Sequence, residues 1–416
     1  MSAKMEGLAA TASHAVRGKL AGVGLGYWRD DFAKNFVRSG FDMTPGPLIN
    51  RGQYARVAAI ASVCEQFLAA APSDTAQIIS LGAGYDTLFW QLQSAGAAPR
   101  LYIEVDQPSV VQHKCAHVAT KAALRAALPE GDSCVTNDTI HSSCGYHLVG
   151  VDLNDIPALE AALGGSGWDP AAPTLVIAEC VLIYLVPAAS RALLTFFGRE
   201  RCRRAVYVGY EMVHPNDPFG RTMVQNLCHR GCPLLSLSDV PDCRAQEARC
   251  VTSGWGRCDS LEMLQFFDVV LSAEERQRVC RLEMLDELEE WRMLLSHYCL
   301  TVAVTDAPAD GQPTLFDDVA LRTPIVRPPL EAILSAARDM TDQPAAGVAE
   351  RSRAPTVGAP LEPLSVNEAD EDAAWSDDDE CGAAGELMQQ DAPTAAGTST
   401  AEREGAATAP DEVAVS

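Results

Sequence analysis

Short runs of nearly uninterrupted apolar residues, several of them closed by a glycine or an acid, restrict the fold of this chain most strongly. QIISLGAG begins at Gln77 and LYIEVD at Leu101, and HLVGVDL, PTLVIAECVLIYL, AVYVGYEMV and LTVAV follow. Strands that are apolar on both faces are typical of a parallel sheet covered by helices on both sides. The runs therefore predict buried, mostly parallel strands.

Helical periodicity is found between these runs. From Asn50 to Leu68, apolar residues recur at intervals of three and four, as on one face of an amphipathic helix. A second helix is expected through TLFWQL, where Asp86 can cap the first turn. Alternating strands and helices predict an α/β fold with a doubly wound, mostly parallel sheet and helices on both faces.

The composition of the 416-residue chain changes near Asp306. From Asp306 to Ser416 there are 23 Asp and Glu residues against 6 Arg and no Lys, so most of the net charge of −24 belongs to this stretch. Aromatic residues are rare there, and such a segment buries too little apolar surface to offset the entropy of ordering it. We expect an acidic, mostly disordered tail over residues 306–416; the alternative is a docking segment for a basic partner.

The sequence indicates neither a membrane span nor secretion. The longest apolar run, TLVIAECVLIYLV, is interrupted by Glu179 and is shorter than the roughly 20 residues of a membrane helix. The first ten residues lack a basic segment followed by an apolar core, although the Ala-rich start leaves an organelle transit peptide as an alternative. The 14 cysteines are accordingly interpreted as reduced thiols, and those between Cys228 and Cys258 fit no paired zinc template, so no metal is expected.

Four strand ends each carry a glycine or an acid. Ligands of open parallel sheets bind outside the carboxyl ends of the strands, where the loops converge. This rule places the following around one crevice: residues 82–86, Glu104 to Asp106, Asp152 with Leu153, and Glu179. Gly82, the first glycine of LGAGYD, lacks a side chain and so lets the backbone approach a ligand closely.

Asp106 indicates the class of ligand. It ends the strand after Gly82, 24 residues further on, where its carboxylate can accept both hydroxyl groups of a ribose; a helix cap before Pro108 is the alternative. Dinucleotide enzymes have a third glycine at the position occupied here by Thr87, and no basic cradle for phosphates is near. A nucleoside without phosphates fits better, which points to S-adenosylmethionine.

Two further strand ends fit the same ligand. Asp152 can accept the exocyclic amine of adenine, and Leu153 offers its backbone and apolar surface. Glu179 lies in an otherwise apolar run, where an unpaired carboxylate is unfavourable to bury. A cation or hydrogen-bond donors in the site explain Glu179 most simply, with a structural acid at a strand end as the alternative.

A series of motifs resembles the leucine carboxyl methyltransferase family, in that family's order: GYWRDDF, FVRS, INRGQYARV, SLGAGYDTLFWQL, YIEVD, GVDL, PTLVIAECVLIYL, GYEMV, DPFG and HYCL. The similarity extends over roughly Lys19 to Val304. It implies the Rossmann-like fold of class I methyltransferases, with an N-terminal helical arm and an inserted lid. It also implies methyl transfer from S-adenosylmethionine to the α-carboxylate of the C-terminal leucine of a type-2A protein phosphatase catalytic subunit.

Residue by residue, the resemblance implies cofactor contacts from Lys19, Arg56, Gly82, Asp106, Asp152, Leu153 and Glu179. Lys19 belongs to a glycine-dotted arm that we expect to be mobile and to fold over the cofactor carboxylate. Arg51 and Arg56 differ by roughly 140° around a helix, so one of them is expected to face the site, and the resemblance favours Arg56 as the catalytic arginine. Tyr184 is a second catalytic candidate that could shape the methyl-transfer channel, with core packing as the alternative.

These expectations divide the chain into a flexible N-terminus (1–18), a methyltransferase domain (19–305) with a lid at about 213–271, and the tail (306–416). We expect a cytoplasmic monomer that binds neither nucleic acid nor membrane. One alternative is a related methyltransferase acting on a small-molecule or another protein carboxylate. Another is a catalytically silent binding scaffold, against which the presence of Arg56 and Glu179 argues.

Overall fold

The computed structural model describes residues 3–37, 45–129, 133–136, 138–307, 313–331 and 333–335. The strands in these ranges are β1 (Gln77–Leu81), β2 (Leu101–Asp106), β3 (Ser133–Val135), β4 (Thr139–Ser142), β5 (Tyr146–Gly150), β6 (Thr174–Glu179), β7 (Arg204–Met212), β8 (Arg257–Glu262) and β9 (Tyr298–Asp306). The α-helices are α1 (Ala3–Gly24), α2 (Pro47–Ala70), α3 (Leu88–Ser94), α4 (Pro108–Thr120), α5 (Ala122–Arg125), α6 (Ile156–Gly165), α7 (Pro187–Thr195), α8 (Pro218–His229), α9 (Cys243–Thr252), α10 (Met263–Gln265), α11 (Ala273–Leu282) and α12 (Leu288–Ser296).

The described strands form one sheet in the order β3-β4-β5-β2-β1-β6-β7-β9-β8. Its centre, from β5 to β7, is parallel, whereas the strands at both edges pair antiparallel. From β1 the chain proceeds to β2 on one side and later returns to β6 on the other, so the strand order reverses beside β1. The doubly wound, mostly parallel sheet predicted from the apolar runs is confirmed.

Both faces of the sheet are covered, which explains why the strands are apolar without alternation. Ile78 and Ile79 are adjacent in β1, point to opposite faces and are both fully buried, each in a different apolar cluster. Ala58 and Phe67 of α2 belong to the cluster on one face, and Leu159 of α6 belongs to the cluster on the other. Helices on the two sides therefore enclose the sheet, as a doubly wound fold requires.

Within the N-terminal segment that was predicted to be flexible, residues 1–18, the described residues from Ala3 onward are helical. Helix α1 begins at Ala3 and packs on α2, and Val16 lies in the core. Its glycines permit close approach: a Cβ atom on Gly18 would lie 3.1 Å from the Gln53 amide, and one on Gly22 would lie 2.6 Å from the Trp28 ring. Tight packing thus accounts for the glycines that were interpreted as a sign of mobility.

The predicted start of the tail, at residue 306, is too early. Phe316, Val319 and Leu321 are buried in the core, and the Phe316 ring centroid lies 5.5 Å from that of Phe67 in α2. The mean composition of residues 306–416 is acidic and does not reveal the short, more apolar stretch TLFDDVALRTPIV within it. Residues 308–312, 332 and 336–416, to which the same prediction applied, lie outside the described residues.

The range predicted as an inserted lid, 213–271, is not a single inserted element. It contains α8 and α9, but also β8, which pairs with β9 along its whole length and belongs to the sheet. The described cysteines form no disulfide, and no group of three or more Cys, His, Asp or Glu side chains in the described part of the chain is arranged to hold a metal ion. Among the described helices, none is long and apolar enough to cross a membrane.

We predict that Phe316→Ala lowers the free energy of unfolding by about 3–5 kcal/mol, because it leaves a cavity against Phe67. Val326→Ala, in the same segment but 63% exposed, is the matched control and should change it by less than about 0.5 kcal/mol. Urea unfolding followed by circular dichroism measures both. Equal stability of the two variants would show that residues 313–331 do not support the core.

Candidate active site

Strand ends bring the predicted residues to one edge of the sheet. Leu81 pairs with Val105 of β2 and with Ala178 of β6, so the residues that follow these three lie side by side: Gly82, Asp106 and Glu179. Asp106 in turn pairs with Gly150, the last residue of β5, which Asp152 follows by two residues. The parallel register therefore places the four strand ends next to one another, as the sequence rule requires.

Glu179 is held between two cations. Its Oε2 atom lies 3.2 Å from Lys19 Nζ, and its Oε1 atom accepts a hydrogen bond from Arg56 Nε. Lys19 also pairs with Asp86, at 3.2 Å. Burial alone would raise the pKa of Glu179, but the charges of Arg56 and Lys19 outweigh it and lower the pKa to about 2. The carboxylate is therefore ionised at any physiological pH.

The two arginines of INRGQYARV occupy different environments. The guanidinium of Arg56 lies 5.1 Å from the Tyr210 ring centroid, and apart from its bond to Glu179 it has no hydrogen-bond partner among the described residues. Arg51 donates to the Glu283 carbonyl at 3.0 Å and lies over the Trp291 ring. Only Arg56 therefore joins the charged cluster of Glu179.

The glycine loop after β1 has a backbone that favours glycine. Gly82 and Gly84 have φ angles of +59° and +51°, and a Cβ atom on Gly82 would lie 2.6 Å from Val181 Cγ2. The amide of Gly84 donates to Asp106 Oδ2, and that of Gln107 donates to Oδ1, both at 2.6 Å. Burial raises the pKa of Asp106, and these amides act against it. Asp106 thus fixes the loop and also accepts a bond at the start of α4.

Beneath this loop is a buried ion pair that the sequence did not reveal. Lys114 Nζ lies 2.5 Å from Glu104 Oε2 and donates to the Asp86 carbonyl at 2.8 Å, with both charged side chains fully buried. Tyr146 donates to the same carboxylate at 2.9 Å. Burial raises the pKa of Glu104 to about 7, with Lys114 acting against it. Glu104 was expected in the crevice, but it supports the loop from inside.

The remaining candidates follow the ends of β5 and β6 and differ in burial. Asp152 is exposed, and its carboxylate accepts a hydrogen bond from the backbone amide of Asn154 at 3.0 Å. Leu153, by contrast, is buried, with 8% of its surface exposed. Tyr184 is partly buried in a short 3₁₀ turn, Leu182–Tyr184, and packs against the cluster that contains Ile183 and Met212. The run PTLVIAECVLIYL is therefore not one strand, since β6 ends at Glu179 and this turn follows.

The arrangement fits S-adenosylmethionine. The ligand has an ammonium group, a carboxylate and a ribose, for which the site provides an acid, two cations and the carboxylate of Asp106 at a glycine loop. Beside Asp106, Gln107 Oε1 and Ser109 Oγ are buried, and neither atom has a hydrogen-bond partner in the described part of the chain. Buried polar atoms are rarely left unpaired, so these two indicate a polar group at the start of α4.

Comparison with known proteins decides the family. The sequence pattern described as "Leucine carboxyl methyltransferase" matches residues 8–198. The leucine carboxyl methyltransferase 1 homolog of Arabidopsis thaliana is 40% identical over 298 residues, which cover 72% of this chain and 89% of that protein. The chain belongs to the leucine carboxyl methyltransferase family. Leucine carboxyl methyltransferase 1 of Bos taurus is 34% identical over 298 residues, 71% of this chain and 89% of the relative.

Other similarities are weaker or partial. The human tRNA wybutosine-synthesizing protein 4 is 37% identical over 286 residues, which are 67% of this chain but only 41% of that protein. Among solved structures, a putative methyltransferase from Thermobifida fusca covers 70% of this chain and 94% of its own, with a TM-score of 0.40 and 12% identity.

As a member of this family, the protein is an S-adenosylmethionine-dependent carboxyl methyltransferase. The structure identifies further residues beside Glu179 and the glycine loop whose contacts the sequence did not indicate. Asp86 was interpreted as a helix cap; it does accept the Leu88 amide at 3.2 Å, but it also pairs with Lys19. Tyr210 and Glu211 in GYEMV were taken only as strand residues, although a glutamate in an apolar run was the same signal that identified Glu179.

We predict that Asp106→Ala weakens binding of S-adenosylmethionine by about 1.5–3 kcal/mol, because hydrogen bonds to a charged group are lost. Titration calorimetry measures the change. Asp155→Ala, which removes an exposed helix-capping carboxylate that accepts the Ala158 amide, is the control and should leave the affinity unchanged. Unaltered affinity of the Asp106 variant would remove this residue from the site.

Proposed function

We propose that this protein esterifies the α-carboxylate of the C-terminal leucine of a type-2A protein phosphatase catalytic subunit. The supporting observation is that relatives named leucine carboxyl methyltransferase 1 align with this chain over 89% of their own length. The alignment thus spans most of the length of each relative. We further propose that the protein is cytoplasmic; that it acts as a monomer remains a prediction from the sequence.

The nucleophile of this reaction requires no general base. An α-carboxylate has an ordinary pKa near 3.5 and is ionised at neutral pH. When bound, S-adenosylmethionine supplies an electrophilic methyl group on a sulfonium. The protein must place the carboxylate in line with this methyl and exclude the water that stabilises the anion. A catalytic triad is accordingly not needed.

Arg56 is our candidate for holding the carboxylate in place. Its Nε atom is bonded to Glu179, its guanidinium lies near the Tyr210 ring, and its two terminal nitrogens have no partner in the described residues. A planar guanidinium can hold both oxygens of a carboxylate through paired hydrogen bonds. The position of Tyr184, in the turn that begins three residues after Glu179, suits a residue that lines the methyl-transfer channel.

The remaining roles follow from the chemistry of the cofactor. We assign the ammonium group to Glu179 and the carboxylate to Lys19, with Arg56 assisting. Asp106 and the loop at Gly82 would bind the ribose. Asp152 and Leu153 would bind the adenine ring, through its exocyclic amine and its apolar face.

Charge favours a protein substrate over a nucleic acid. The relative that is named for tRNA wybutosine synthesis makes tRNA the second candidate. Nucleic-acid binding depends on Lys and Arg residues that neutralise phosphates. This chain has 56 acidic residues against 32 Lys and Arg, and acids still exceed bases before residue 306. We therefore place the phosphatase terminus first.

The decisive experiment is a transfer assay with labelled S-adenosylmethionine. The acceptors are a type-2A phosphatase catalytic subunit, the same subunit without its terminal leucine, and bulk tRNA. Base-labile label on the intact subunit alone supports the proposal. Equal labelling of the truncated subunit would overturn the C-terminal assignment, and labelling of tRNA alone would favour the second candidate.

We predict that Arg56→Lys lowers kcat/KM at least about 100-fold, because lysine keeps the charge but cannot form the paired contact of a guanidinium. Arg51→Lys, on the same helix, is the control: it should lower thermal stability and leave turnover per folded molecule within about twofold. The same transfer assay measures both variants. Near-normal turnover of the Arg56 variant would exclude this arginine from the substrate site.

A further inference from the structure

Glu211 is a buried acid with no assigned role in the chemistry. It lies in β7, next to Tyr210, and is 1% exposed. Its Oε1 atom accepts hydrogen bonds from the backbone amides of Val181, at 3.2 Å, and Leu182, at 3.0 Å. Its Oε2 atom has no partner among the described residues. The Glu211 carboxylate thus accepts hydrogen bonds from the stretch of backbone that follows the end of β6.

That stretch has an unusual conformation. Cys180, which directly follows Glu179, has a φ angle of +56°, a region that residues with a side chain rarely adopt. The Cys180 amide donates to the Tyr210 carbonyl at 2.7 Å, and the next two amides donate to the Glu211 side chain. The side chain therefore replaces the backbone acceptors that are lost where β6 turns away from β7. Unfavourable backbone persists only where its surroundings hold it in this way.

The turn formed by residues 179–182, where the chain leaves β6, connects two parts of the cofactor site. At its start is Glu179, whose carboxylate pairs with Lys19 and Arg56. In its middle is Val181, whose Cγ2 atom would lie only 2.6 Å from a Cβ atom on Gly82. A shift of the turn would consequently move the charged cluster and the glycine loop together.

We propose that Glu211 is a positioning residue of the cofactor site, acting as the hydrogen-bond acceptor that fixes residues 180–182. The inference rests on the proposed assignment of Glu179 and Gly82 to cofactor binding. The acceptor geometry, more than the charge, carries this role, because both bonds go to neutral amides. A glutamine retains an oxygen at the same reach, whereas an aspartate keeps the charge but is one methylene shorter.

The test is calorimetric titration of S-adenosylhomocysteine, the demethylated cofactor, into the full chain. Glu211→Asp should weaken binding at least about tenfold, and Glu211→Gln should stay within about threefold of the unaltered protein. A purely structural role would lower the binding-competent fraction or the melting temperature and leave the dissociation constant of folded molecules unchanged. Normal affinity of the Asp variant, or equal loss in both variants, would overturn the proposal.

Two further variants separate this inference from the site assignment. Glu275→Gln alters another buried carboxylate, which bonds to Tyr54 and Arg278 away from the turn, and should leave the affinity unchanged. Glu179→Gln should weaken binding if the site is assigned correctly. Loss in Glu179→Gln without loss in Glu211→Asp overturns the role of Glu211 alone. No loss in either variant overturns both the inference and the assignment of Glu179.

Discussion

The carboxylate of Glu179 is the point on which three parts of the molecule converge. It ends β6, bonds to Arg56 of α2 and pairs with Lys19 of α1. A buried carboxylate is strongly unfavourable without compensation, and removing either cation leaves the two acids, Glu179 and Asp86, with a single cation between them. The ion cluster therefore couples the position of the N-terminal helix to that of the site.

The rest of the structure supports this cluster from several directions. Glu211 holds the turn that follows Glu179, and the buried pair of Lys114 with Glu104 holds the loop that follows β1. Phe316 packs on α2, the helix that carries Arg56. A site that binds a cofactor with both charges and an anionic substrate requires such rigidity, since loosely held charges would be solvated and their fields weakened.

Patterns that depend on local chemistry were readable from the sequence, and those that depend on tertiary packing were not. Apolar runs gave the strands, and strand ends gave the positions of Gly82, Asp106 and Glu179. Glu104 lies two residues before the end of β2 and therefore beneath the glycine loop, whereas Asp106 lies at the strand end. Only the strand register separates these two positions. The glycines of α1 indicate packing only when Gln53 and Trp28 are seen against them. The packing of residues 313–331 could not be predicted, because the mean charge of a long acidic segment does not indicate a short buried stretch within it.

The most direct test of the account compares the stability of the unaltered protein and Glu179→Gln as the pH falls. The pKa of Glu179 is lowered to about 2 from an ordinary value of 4.5. The ionised carboxylate therefore contributes its full stabilisation of the fold above about pH 4.5, and this contribution is lost as the pH falls from about 4.5 towards 2. The difference in the free energy of unfolding should be constant between about pH 7 and 5.5 and should shrink between about pH 4.5 and 3. A difference that is absent at pH 7, or unaffected by acid, would contradict an ion cluster centred on this carboxylate.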